Sequence, residues 1–242
     1  IRTANAATTG VSGDLAFSSG TTLNGDSGSI HIGTGLATEG TGGDITIKVG
    51  DGNSGVGGAV SIVAGYARDP AAEDGGEVVV LAGRGDKGGG DISITAGLAD
   101  AETGGEIMIT TGAGTLGSSG ELYVQTAATD QGVTGSMIFS SGIATSGDSG
   151  DIMVGSGHST KGQSGTISIM VGDTAHATGA GAMLQIQAGN SVSGTGAGGR
   201  LNVESGTSLG GVTGVMLLAT GEGDTSSGAI TIRTANAATT GV

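Results

Sequence analysis

Gly42–Val56 reads GGDITIKVGDGNSGV, and the phrase returns as GGDISITAGLADAET at Gly89–Thr103, GGEIMITTGAGTLGS at Gly104–Ser118 and SGDIMVGSGHSTKGQ at Ser149–Gln163. The period is close to 15 residues. With the first residue of each phrase as position 1, fifteen repeats fit between Ser12 and Val242. Position 4 is apolar in all fifteen, running from Leu15, Ile30 and Ile45 to Met216 and Ile230. Position 6 is apolar in all fifteen as well, from Phe17, Ile32 and Ile47 to Leu218 and Ile232. Apolar residues at every second site, many of them β-branched and bounded by glycines, predict a short strand with positions 4 and 6 on one face.

The other columns predict corners. Position 2 is Gly in every repeat except at Ala182, and position 9 is Gly except at Ala127 and Ala235. Position 14 is often Gly, as at Gly25, Gly55, Gly132 and Gly147, which suits sites needing positive φ or close backbone approach. Position 8 is small or modest (Ala64, Ala96, Thr111), and position 11 is always small (Thr22, Gly85, Ser159), which predicts that it faces inward against the aliphatic columns. A repeat this thin cannot bury its own apolar side, so the sequence predicts an all-β fold. This is a parallel β-solenoid of about fifteen coils with a 15-residue period, a thin cross-section and uncapped ends. Helix is excluded by the lack of a 3.6 period and by the frequency of Gly, and two unbroken aliphatic columns argue against disorder. Departures from the period, around Arg68–Asp74 with the single Pro70 and at Gly179–Ala180 and Gly196–Ala197, are expected at corners.

Residues 1–11 and 232–242 are both IRTANAATTGV. That identity predicts a 231-residue superrepeat within a longer array, residues 1–242 forming one continuous solenoid segment with an 11-residue overlap. Composition bounds the function. Gly accounts for 55 of 242 residues without a three-residue spacing, which excludes collagen. Cysteine is absent, so no disulfide framework or thiolate metal site is possible. A net charge of −14 argues against nucleic acid as a partner, and no apolar run has membrane-spanning length.

Two clusters stand out. Position 3 is acidic in four successive repeats, Glu77, Asp91, Glu106 and Glu121. Carboxylates stacked at coil spacing repel one another, so a calcium ladder is one reading and a solvated or turn-capping edge the other. Similarity to the calcium nonapeptide G-G-x-G-x-D is loose, because the middle Gly is missing. On the outward face, position 5 carries Met108, Tyr123, Ile138 and Met153 in consecutive repeats, with Val79 and Leu81 nearby. An exposed apolar stripe of this kind predicts lateral packing against a like filament. No repeat has Thr at both positions 5 and 7, which argues against ice binding. His31, His158 and His176 fall at different positions and make no ligand spacing.

On Gly42–Ile47, Gly89–Ile94 and Gly104–Ile109, with glycine corners throughout, the chain resembles the giant repetitive β-solenoid proteins of extracellular adhesins and surface filaments. The resemblance implies an extracellular or cell-surface location and a non-enzymatic structural filament that associates end to end and laterally. An adhesin stalk projecting a binding domain is the alternative, with a calcium- or ice-binding module behind it.

Overall fold

A computed structural model describes residues 1–6, 10–68, 74–175, 180–192, 195–224 and 226–234. The inserted loop at Pro70, His176, Gly179, and Ala235 with the end of the second IRTANAATTGV copy lie outside the described residues. Contacts divide the chain into two units, Ile1–Leu122 and Tyr123–Val242. The same local motif builds each.

In that motif, bend-free segments alternate with turns. The bends recur at positions 12–14, for example at 23–25, 38–40, 100–102, 115–117, 130–132, 145–147 and 160–162. Glycine produces several of them, since Gly25, Gly55, Gly132 and Gly147 all have positive φ, between 78° and 109°. A side chain there would be strained. Between the bends, side chains two apart share a face. Gln185 Nε2 donates to Gln187 Oε1 at 3.0 Å, and Asn202 Nδ2 donates to Glu204 Oε1 at 2.8 Å. Both pairs are positions 5 and 7 of an extended run.

Six of the described turns are closed at a neck. The position-2 amide donates to the position-9 carbonyl of the preceding repeat: Gly90 to Gly83 at 2.9 Å, Gly105 to Gly97 at 2.9 Å, Gly120 to Gly112 at 3.0 Å, Gly199 to Gly189 at 2.8 Å and Gly214 to Gly206 at 3.0 Å. Gly76 donates to Gly65 in the same way at 2.8 Å across the longer loop containing Pro70. Loop length therefore varies while the neck is kept. Position 2 is Gly because it abuts the preceding position-8 side chain. A β-carbon on Gly105 would lie 3.3 Å from Ala96 Cβ and 3.1 Å from the Gly97 amide nitrogen. The small residues of position 8 have the same cause, seen from the other side of the neck.

Position 11 is corrected by the structure. Its hydroxyl and glycine residues serve the turn, and none of the described residues there is buried in an interior. Thr22 Oγ1 donates to Asn24 O at 3.1 Å and Thr129 Oγ1 to Gln131 O at 2.8 Å. Ser159 Oγ and Ser208 Oγ accept from the amides of Gly162 and Gly211 at 3.0 and 3.1 Å. These are side-chain-closed turns. Where the site is Gly85, a β-carbon would collide with the Gly88 carbonyl.

The predicted all-β parallel solenoid is contradicted. Among the described residues there is no helix and no strand. Residues that are neighbours in space are mostly close in sequence, whereas stacked coils would set each residue beside the one fifteen away. The columns meant to form a dry interior are open. Position 4 ranges from 44% exposed at Met137 to 59% at Leu122, and position 6 from 60% at Val124 to 87% at Ile232. No described side chain is buried. The accessible surface is 24594 Å². A chain of this mass would expose roughly 9,500 Å² as one compact body or about 11,500 Å² as two, and roughly 33,000 Å² when fully extended. The necks close the turns, and nothing in the repeat then brings one aliphatic pair onto the next.

The neck gives a direct test. Gly85→Ala is expected to open its turn and strip hydrogen-exchange protection from the Gly90 amide. Gly20→Ala, where a β-carbon meets nothing within 4 Å, is expected to leave protection unchanged. Equal behaviour of the two variants would show that position 11 does not control the turn.

Candidate functional site

With no enclosed cavity among the described residues, the candidate site is the face that the bend-free segments present. Positions 4 and 6 lie on one side of each segment, and positions 5 and 7 on the other. Position 4 is the more shielded of the two aliphatic columns in most repeats, because its own chain covers part of it. Position 8 is covered further by the neck, and Val49, at 38%, is the least exposed of the large apolar side chains that remain open.

The position-5 residues expected to form a lateral contact are solvent-facing. Val79, Leu81 and Met108 belong to the first unit, and Tyr123, Ile138 and Met153 to the second; all are exposed, Met153 to 90%. The acidic column Glu77, Asp91, Glu106 and Glu121 is exposed too, and lies in the first unit. Among the described residues no three His, Asp or Glu side chains come together in a group able to hold a metal ion. Other charged contacts are sparse and at the surface. Lys48 Nζ stands 3.9 Å from Asp51 Oδ2, and the Arg68 guanidinium lies 5.7 Å from the centre of the Tyr66 ring.

A third set of residues escaped the reading by columns. Leu23, Leu36, Val56, Leu98, Leu116, Ile143 and Leu209 sit in the turns with almost their whole side chains in solvent. They occupy positions 10, 12, 13 or 15 without a fixed register, so no column reveals them. Their signal is subtler: an apolar residue in a glycine-rich turn, where polar residues would serve the backbone as well.

No helix among the described residues is long and apolar enough to cross a membrane. No family model, curated protein or solved structure matches this chain.

Exposure at position 5, through Tyr123, and in a turn, through Tyr66 at position 10, is directly measurable. Tyr66 and Tyr123 are the two tyrosines, Trp is absent, and both rings are largely solvent-facing. In dilute solution, acrylamide should quench tyrosine emission nearly as well as it quenches a small tyrosine peptide. Strong protection at the lowest workable concentration would show that these rings are covered within the single chain.

Proposed function

We propose that this chain is a non-enzymatic structural protein, part of an extracellular filament that gains its order by associating with further copies of itself. One observation supports the reading above the rest. Every repeat presents an exposed apolar pair at positions 4 and 6, and six of the turns share the same closed neck, so a contact made at one repeat can be made again at the next. Repetition turns a weak contact into a strong one, because each later contact forms at high effective concentration. The exact return of IRTANAATTGV at 232–242 fits tandem use of the unit.

Charge sets the conditions for assembly. The chain carries 22 acidic and 8 basic side chains, and like-charged copies repel until salt screens them, over about 8 Å at physiological ionic strength. Association therefore strengthens as salt is raised, the reverse of binding driven by opposite charge.

Electron microscopy of the purified chain at physiological salt should show threads that pair laterally. Met153→Asp, which sets a carboxylate in the position-5 stripe, should leave threads that no longer pair. A stalk projecting a separate domain would stay unpaired with or without that substitution. Particles that never associate, at any salt or protein concentration reached, would rule the filament out.

A further inference from the structure

We infer that the position-4 and position-6 columns are the seam at which a second copy of this chain docks. The inference rests on the self-associating filament proposed above and names its contact face, which is distinct from the position-5 stripe.

Area comes first. The 24594 Å² of accessible surface exceeds the compact expectation by roughly 13,000 Å², whereas a standard protein–protein interface buries about 1,600 Å² and obligate ones about 2,000–5,000 Å². A partner touching one patch would leave most of the excess open. The exposed apolar surface is also periodic, so the partner must be periodic at the same interval. A second copy meets that condition automatically, since its sequence repeats at the same intervals.

Composition selects the face. Across fifteen repeats neither position 4 nor position 6 carries a charged or polar residue, while positions 5 and 7 include Lys48, Glu204 and Arg233. Interface cores are depleted of charge, and rims keep it. Position 4 is about half covered by its own chain, so it is already held in place and loses little further freedom when its open side is capped. The necks use the backbone of positions 2 and 9, so docking at positions 4 and 6 does not compete with them. A bilayer is a poorer occupant. The position-3 acids Asp91 and Glu106 stand directly beside the columns and would be drawn against a surface that is itself anionic.

The chain contains no cysteine, so one introduced thiol reports on one site. Ile94→Cys lies in the position-6 column, and Ser93→Cys on the opposite face of the same segment. Maleimide labelling is followed as protein concentration is raised in moderate salt, alongside sedimentation. Labelling of Ile94→Cys should slow by about tenfold or more on association, and Ile94→Asp should weaken association by about tenfold, equivalent to about 1.4 kcal/mol. Labelling of Ser93→Cys should change far less. Association that leaves the Ile94→Cys rate unchanged would overturn the seam and leave the filament standing. Absence of association would remove both. Protection that appears only on adding phosphatidylcholine vesicles would assign the columns to lipid and overturn the proposal.

Discussion

The local structure depends on one contact, made between successive repeats at six turns. The position-2 amide reaches the carbonyl of the preceding position 9, and a glycine without a β-carbon lets the two backbones meet beside the position-8 side chain. Several columns follow from it. Position 8 is small at the closed necks because they are narrow, and position 11 is always a small residue, a hydroxyl, a glycine or an alanine, because the turn beyond the neck is tight. Insertions fall between positions 9 and 2, where they lengthen the loop and leave the neck alone, since closing a somewhat longer loop costs little extra entropy.

A neck is not a core. A hydrogen bond in solvent contributes about 1 kcal/mol net, comparable to the roughly 1–2 kcal/mol needed to order one residue's backbone. Burying an Ile or Leu stabilises by about 1.5–3 kcal/mol, and that gain is only partly realised in every repeat, because positions 4 and 6 stand at least 44% exposed. Local geometry is thus set by polar contacts, while the larger stabilising resource waits for a surface to meet. Acidic side chains supply the counterweight. In the filament proposed above they would keep copies apart at low salt and yield when the solvent screens them.

The turns were the most legible part of this chain. Gly25, Gly132 and Gly147 mark their bends through φ alone. Alternation sets Met108, Ile138 and Met153 on the face opposite positions 4 and 6, and both faces are exposed. Position 11 misled, because a column that is always small reads the same whether it faces a narrow interior or closes a turn. The turn residues Leu23, Leu98 and Leu116 were invisible for lack of register. The acidic column Glu77, Asp91, Glu106 and Glu121 acquired a ladder reading only from an assumed stacking of coils.

By itself, then, the order of residues determined where the chain bends, which side chains share a face, and which face is apolar. Each of these is settled within a few residues, by φ, by a short hydroxyl reach or by the period of two in an extended backbone. What that face touches is a relation between segments fifteen or more residues apart, or between separate chains, and alternation is the same in either case. Only the tertiary structure decided that, among the described residues, the apolar pairs do not bury one another: turns close on local necks and leave positions 4 and 6 facing solvent.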